Sequence, residues 1–140
     1  MKTLFTFLLI LSSFTIWSQT SESLKNYKPT AEFNNIHVLK ISEDEHQSSF
    51  IIWVKDSVPE HFHSDHTENI VVISGKAIMT LDGVEITIKK GDYINIPEGT
   101  KHSVKEIIGH QSLKVLSIQT PLFDGKDRTF TKPKNYHSSE

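Results

Sequence analysis

Short strand-like segments recur along the chain from residue 36 onwards, and turn-forming residues separate them. Residues 36–41 alternate weakly between apolar and polar, and residues 50–54 form an almost unbroken apolar run. Further segments of this kind, each with Gly, Pro, Asp or Ser close to at least one end, lie at residues 69–73, 93–96, 102–107 and 113–119. We count about eight to ten short strands and no convincing helix, a pattern typical of an all-β barrel or sandwich.

The clearest hairpin lies at Asp82-Gly83, a pair that favours a two-residue type I′ turn. Pairing outward from this turn sets apolar residues opposite one another: Leu81 and Val84, Met79 and Ile86, and Ala77 and Ile88. Hydrophobic pattern and turn chemistry therefore predict the same register, with these six side chains on the buried face.

Residues 50–54 are more apolar than a strand with one wet face requires. A run of this kind suits a strand that is covered on both sides, by a second sheet or by a partner chain. We therefore expect a homodimer that covers part of it.

Candidate metal ligands lie in the stretch from residue 61 to residue 68. His61 and His63 are two residues apart, so on a strand both side chains leave the same face. The polar residues 64–67 predict a turn, and a hairpin closed over them would bring Glu68 back beside the two imidazoles. Two neutral imidazoles and a carboxylate make a site for a divalent transition metal, and His102 offers a fourth ligand downstream. His66, inside the turn, is expected to face solvent.

Two motifs in these regions resemble the signature motifs of the cupin superfamily. His-x-His, four residues, Glu, six residues and Gly matches the first motif from His61 to Gly75. The second motif matches at Gly91, Pro97, Gly99 and His102. Two positions depart from the family pattern, because Lys55 replaces the usual first Gly and Glu106 replaces the usual last Asn. Neither departure removes a ligand.

The resemblance implies a small antiparallel barrel of the double-stranded β-helix, or jelly-roll, type. It also implies that His61, His63, Glu68 and His102 bind a metal inside the barrel. Such a ligand set leaves one or two octahedral positions open, and open positions distinguish reactive metal sites from structural ones. These ligands accept Fe, Mn, Ni, Co, Cu or Zn, and the sequence does not discriminate among them.

Three functions are compatible with such a site. The first is a metal-dependent enzyme of the dioxygenase, isomerase or lyase type, acting on a small oxygenated or anionic substrate. The second is non-catalytic binding or sensing of a small ligand or sugar, and the third is a metal that only stabilises the barrel. Glu106, on the strand of His102, is a candidate base if alternation points it inward with Val104, or else an ordinary solvated glutamate beyond the barrel rim. Tyr93 is a candidate pocket residue that could equally pack in a wall.

Composition narrows the range of partners. The 140 residues suit one domain, and the net charge of -2 gives no indication of nucleic-acid binding. The chain has no cysteine, which excludes disulfides and thiolate ligands.

The N-terminus has the order of a secretory signal peptide. Lys2 precedes an apolar stretch at residues 4–16, and Ser18 could precede a cleavage point. The stretch is shorter than the about 20 apolar residues of a spanning helix. We therefore expect a periplasmic or secreted protein with no membrane association after cleavage. The expected organisation is a signal peptide at 1–18, a polar arm or linker at 19–35, the barrel at 36–123 and a polar tail at 124–140.

Overall fold

The computed structural model describes residues 21–131. The predicted signal peptide, the first two residues of the arm and residues 132–140 lie outside these described residues. Within residues 21–131 the chain forms ten strands and no helix. The strands are β1 (Ile36–Glu43), β2 (Ser48–Val54), β3 (Val58–Phe62), β4 (Thr67–Ser74), β5 (Lys76–Leu81), β6 (Val84–Lys89), β7 (Tyr93–Ile96), β8 (His102–Ile107), β9 (Leu113–Thr120) and β10 (Thr129–Phe130).

The strands form two five-stranded antiparallel sheets. The first sheet has the order β1-β2-β9-β4-β7, and the second has the order β10-β3-β8-β5-β6. Apolar side chains from both sheets meet in one core, which includes Val72, Met79, Ile96 and Leu113. The fold is a double-stranded β-helix, as the sequence predicts. No helix in the described part of the chain has the length and apolar character that a membrane crossing requires.

The predicted hairpin is present between β5 and β6 in the predicted register. Asp82 and Gly83 both have positive φ, 45° and 82°, as a type I′ turn requires. Ala77, Met79 and Ile88 are buried in the core, whereas Val84, next to the turn, is 65% exposed. The face is therefore apolar along its whole length but buried only away from the turn.

Gly75 ends the first motif at the point where the chain leaves the first sheet for the second. Its φ is +87°, and a Cβ atom there would lie 2.7 Å from the carbonyl oxygen of Ser112 and 2.8 Å from Cα of Leu113. Only a residue without a side chain permits this approach of two backbones. The glycine of the motif is thus explained by packing.

The apolar run of β2 is buried by its own chain. Ile52 and Val54 face the barrel interior, and Trp53 lies on the other face under the N-terminal arm. Lys114 fastens this arm, because its Nζ donates to the carbonyls of Leu24 and Tyr27 at 2.6 Å and 2.9 Å. The same ammonium lies 5.4 Å from the ring centroid of Trp53. The homodimer stays a prediction, but this run no longer supports it.

Residues 124–131 pack against the barrel, whereas the sequence predicts that they belong to a polar tail. β10 pairs with β3, where Phe130 lies opposite His61. Phe123, just before this segment, is buried against the ring of Phe50 at a centroid distance of 6.2 Å. The C-terminal segment therefore adds a strand beside the predicted metal ligands.

Candidate metal centre

Three histidines meet at one end of the barrel interior. His61 lies on β3 directly opposite His102 on β8, and His63 follows the last residue of β3. Their exposed fractions are 6%, 3% and 2%, respectively. One ring nitrogen from each lies within 4.8 Å of the other two. The three imidazoles therefore form a buried cluster that can hold a metal ion.

A backbone carbonyl orients each of these rings. Nδ1 of His61 donates to Pro59 at 2.9 Å, and Nδ1 of His102 donates to Thr100 at 2.9 Å. Nδ1 of His63 donates to the carbonyl of Asp127. When Nδ1 carries the proton, the lone pair is on Nε2, the atom that a metal requires. Nε2 of His63 and Nε2 of His102 are buried without a hydrogen-bond partner among the described residues, so the donor set fits a divalent transition metal.

Glu68 reaches the cluster from the opposite sheet. Its Oε2 lies 3.3 Å from Nε2 of His102 and 3.8 Å from Nε2 of His63. The predicted hairpin between His63 and Glu68 is wrong, because β3 belongs to the second sheet and β4 to the first. The chain crosses between the sheets instead of turning back within one. Coordination by Glu68 stays a prediction, since the cluster whose ligand atoms converge consists of the three histidines.

Two polar residues of β9 hold the other oxygen of Glu68. Oγ of Ser117 donates to Oε1 at 2.5 Å, and Nε2 of Gln119 donates to the same atom at 3.3 Å. Both residues are buried, at 0% and 2% exposed. Neither residue belongs to the predicted site, although alternating inward polar residues in an otherwise apolar strand are a signal of a polar site.

The environment favours neutral imidazoles and an ionised carboxylate. Burial, with the nearby His102, lowers the pKa of His61 to about 4. Burial also lowers the pKa of His63. For Glu68, burial opposes ionisation, but the neighbouring His102, the Ser117 hydrogen bond and the nearby His63 outweigh it and lower the pKa to about 2. At neutral pH His61, His63 and Glu68 are therefore in the form that binds a metal.

The cluster opens into a cavity of about 540 Å³ between the sheets. Its walls are mostly apolar, and they include Ile52, Val54, Met79, Val104 and Val115. Glu68 is the one carboxylate among the described residues that line it.

Arg128, an exposed residue, is among the residues that line the cavity. Its Cζ lies 5.7 Å from the ring centroid of Phe123, and its positive charge contributes to the low pKa of His61 and His63. No carboxylate within residues 21–131 forms an ion pair with it. The cavity therefore presents an uncompensated cation to a ligand.

The family model of the cupin domain matches residues 48–119, just over half of the chain. This protein belongs to the cupin family. An uncharacterised Aquifex aeolicus protein is 33% identical to the cupin over 92 residues, which cover 66% of this chain and 74% of the relative.

Two further relatives have a described activity. Quercetin 2,3-dioxygenase of Bacillus subtilis is 48% identical over 50 residues, which are 36% of this chain and only 15% of the dioxygenase. The structure of Streptomyces Pac13, a nucleoside dehydratase, superimposes with a TM-score of 0.62 at 17% identity, covering 82% of this chain and 92% of Pac13. The second likeness concerns the fold alone.

Glu106, one of the two departures from the cupin pattern, does not point inward. The register shifts between Ile78 and Met79, whose partners on β8 are Glu106 and Val104. Lys105 is thus the extra residue of a β-bulge, which breaks the alternation after Val104. Lys105 and Glu106 are exposed, and Ile107 packs against the core in their place. Of the two interpretations of Glu106, the structure agrees with the solvated glutamate.

Tyr93 also lies outside the cavity of this cupin. Its side chain is 64% exposed, and its hydroxyl donates to Oδ1 of Asn69 at 2.6 Å on the outer face of the first sheet. Ile94 and Ile96 take the inward positions of β7. Tyr93 therefore does not line the cavity, and its exposed side chain is held on the outer face by this one hydrogen bond.

His66 is buried rather than solvent-facing. Its Nδ1 lies 2.5 Å from Oδ2 of Asp127, and its Nε2 donates to the carbonyl of Leu122 at 3.0 Å. Burial alone would lower the pKa of His66, but its partners raise it above its ordinary value. Oxygen atoms face both ring nitrogens, so the protonated form fits this position. The sequence did not predict this contact, because Asp127 lies 61 positions away.

Proposed function

We propose that this cupin is an exported, metal-dependent enzyme of the dioxygenase type that acts on a small oxygenated or anionic substrate. The observation that carries the proposal is the convergence of three oriented, buried imidazoles at the end of a cavity of about 540 Å³. A divalent transition metal held there (Fe, Mn, Ni, Co, Cu or Zn) would supply Lewis acidity or activation of dioxygen.

The residues of the chain have distinct tasks in this proposal. His61, His63 and His102 hold the metal, and the apolar walls limit access of water to the reacting atoms. Glu68 either completes the ligand set or accepts a proton from the substrate, since its carboxylate is ionised at neutral pH. Arg128 favours a substrate that carries negative charge.

Two observations favour the proposal of dioxygenation over isomerisation or elimination. The segment of 48% identity joins this chain to a dioxygenase, whereas the dehydratase shares only the fold. The described cavity also has a single carboxylate and no further acid or base beside the imidazoles and Arg128. Dioxygenation suits such a lining, because it depends on the metal more than on acids and bases of the protein.

Metal loading followed by oxygen measurement tests this proposal. The protein is stripped with chelator, loaded separately with each of the six metals, and mixed with quercetin or with smaller catechols. We expect oxygen uptake and a mass increase of the product with a redox-active metal, and none with Zn or with the His63→Gln variant. Stable metal loading without oxygen uptake for any probe would contradict the dioxygenase assignment.

Non-catalytic binding or sensing of a small ligand is the alternative. The positions of Glu106 and Tyr93 favour it, because both candidate catalytic residues lie outside the cavity. In that case the loaded protein should bind a probe reversibly and release it with unchanged mass. Recovery of the probe by mass spectrometry distinguishes the two functions.

Export is supported by the order of Lys2, the apolar stretch and Ser18 in the sequence. We expect a mature chain that begins near Gln19 in the periplasm or medium of the producing cell. Intact-mass measurement checks this, and a recovered chain that still begins at Met1 would contradict it.

The homodimer predicted from the sequence is tested by light scattering at micromolar concentration in the same preparation. A monomer at every concentration would contradict it.

A further inference from the structure

Gln119 is a buried amide whose carbonyl oxygen has no partner among the described residues. The residue lies on β9 directly opposite Glu68 on β4, and its side chain lines the cavity. Nε2 donates to Glu68, whereas Oε1 is buried and accepts no hydrogen bond. Buried polar atoms are nearly always paired, so an unpaired one beside a cavity indicates a group that a ligand or water satisfies.

The contact with Glu68 fixes the orientation of the amide. Oε1 of Glu68 also receives the hydroxyl of Ser117, so it acts as an acceptor. The amide must turn its NH₂ end towards an acceptor, because two oxygens facing each other would repel. The free atom of Gln119 is therefore the carbonyl oxygen, which can only accept.

Glu68 is also an acceptor in the cavity, but its Oε2 faces the imidazoles. The remaining polar groups of the lining do not duplicate the acceptor of Gln119. Oγ of Ser103 contacts Oγ1 of Thr80 at 2.5 Å, and Asn35 contacts the backbone of residues 56 and 57. Arg128 offers only donors. Gln119 thus supplies an acceptor close to the imidazole cluster, and Arg128 supplies a cation to the same cavity.

We propose that Oε1 of Gln119 accepts a hydrogen bond from a ligand hydroxyl that neighbours the oxygen bound at the imidazole cluster. The preferred ligand class is then the α-hydroxy carboxylates, in which a hydroxyl adjoins an anionic oxygen. This inference rests on the proposed function, since it requires a ligand at the metal centre. It adds a specificity determinant that acts on the ligand and not on the metal.

Calorimetric titration with a matched pair of probes tests the assignment. Zn-loaded protein is titrated with mandelate and with its O-methyl ether, which have the same charge and ring but differ in the hydroxyl donor. We expect the wild type to bind mandelate about tenfold more tightly than the ether, the scale of one net hydrogen bond. In Gln119→Met this preference should disappear, so that both probes bind with about equal affinity, since a thioether is at most a weak acceptor.

Ser117→Ala is the matched control, because it removes the other hydrogen bond to the same oxygen of Glu68 and leaves Gln119 in place. It should keep the preference for mandelate even if metal affinity falls. Equal loss of preference in both variants would overturn the inference, because Gln119 would then act only through Glu68. A preference that persists in Gln119→Met would overturn it too, while the proposed function would stand.

Two further outcomes complete the test. If Gln119→Met fails to fold, Gln119→Asn withdraws the carbonyl by one methylene, and its loss of preference would support the inference. A preference retained by Gln119→Asn would overturn it. A wild-type protein that takes up no metal and binds neither probe would overturn the proposed function together with the inference.

Discussion

The backbone carbonyl of Asp127 accepts the hydrogen bond from Nδ1 of His63, and the Asp127 carboxylate binds the turn that follows His63. Oδ1 accepts from the backbone N–H of Ser64 at 2.8 Å, and Oδ2 accepts from Asp65 at 2.8 Å and faces His66. His66 and these two N–H groups outweigh the effect of burial and lower the Asp127 pKa to about 2. One residue of the C-terminal segment thus orients a metal ligand and fixes the loop beside it.

Asp127→Asn should therefore loosen both the loop and the metal site. The variant keeps one acceptor oxygen but loses the charge that holds His66, at a cost of about 2 kcal/mol in the free energy of unfolding. Because the partner that orients His63 becomes less fixed, we expect metal affinity to fall by about 10-fold. Urea denaturation and a competitive chelator titration measure the two effects.

Asp124→Asn serves as the control for this prediction. Asp124 is exposed and pairs with Lys126 within the same segment, so its loss should change neither quantity appreciably. Equal effects of the two variants would show that Asp127 has no special role.

Replacement of the clustered histidines should affect metal binding more than any change in the groups around them. His63→Gln or His102→Gln removes a converging Nε2, and we expect the affinity to fall by more than about 100-fold, beyond the range of outer partners. Glu68→Gln should give a similar loss if its carboxylate coordinates, and a small one if it only accepts protons.

Metal content measured by mass spectrometry after dialysis compares these variants. His46→Gln is the control, since His46 is exposed and distant in sequence from the cluster. Full metal content in a double variant of His61 and His63 would contradict the metal centre as a whole.

The strand pattern and the cupin motifs were sufficient to predict the fold, because alternation, turn chemistry and motif spacing are local properties. The hairpin at Asp82-Gly83 shows this, since its register follows from six neighbouring residues. The three histidines were found for the same reason. The position of Glu106 stayed open between inward and solvated, because a β-bulge at Lys105 depends on packing across strands, which alternation along one strand does not reveal.

The sequence also does not predict the residues that contact the site from distant positions in the chain. Asp127 and Gln119 contact His63 and Glu68 across 64 and 51 positions, respectively. Neither residue belongs to a motif. The alternation of Ser117 and Gln119 on β9 indicates a polar face but not its partner, and nothing in the local sequence distinguishes Asp127 from an ordinary polar residue. Such contacts depend on how the two sheets and the C-terminal segment pack together.

Acid should destabilise the metal-free protein through its buried imidazoles. The pKa of His61 is about 4 in the folded protein and near 6.5 in the unfolded chain, so the unfolded chain binds more protons between these values. Stability is therefore full above pH 6.5 and falls as the pH drops towards 4, by about 3 kcal/mol from His61 alone. Glu68, with its pKa lowered to about 2, adds a further loss as the pH falls below 4.5.

Urea denaturation of chelator-treated protein between pH 8 and pH 4 measures this slope. His61→Gln should flatten it between pH 6.5 and pH 4, whereas His46→Gln should leave it unchanged. Identical slopes in wild type and His61→Gln would show that His61 is not held neutral by burial.

Arg128 should determine whether the cavity prefers charged ligands. Arg128 is an exposed residue of the cavity lining without a carboxylate partner among the described residues, and its charge lowers the pKa of His61 and His63. We expect Arg128→Gln to weaken binding of salicylate to the Zn-loaded protein by about 10-fold, the equivalent of one charge-assisted hydrogen bond. Salicylamide has the same ring and hydroxyl but no charge, so its affinity should change little.

Lys126→Gln is the control, because it removes an equal charge two residues away, on an exposed side chain that pairs with Asp124. It should leave both affinities unchanged. Calorimetric titration of the three proteins with both probes measures these affinities. An equal loss for salicylate and salicylamide in Arg128→Gln would mean that Arg128 acts through packing on Phe123 and not through its charge.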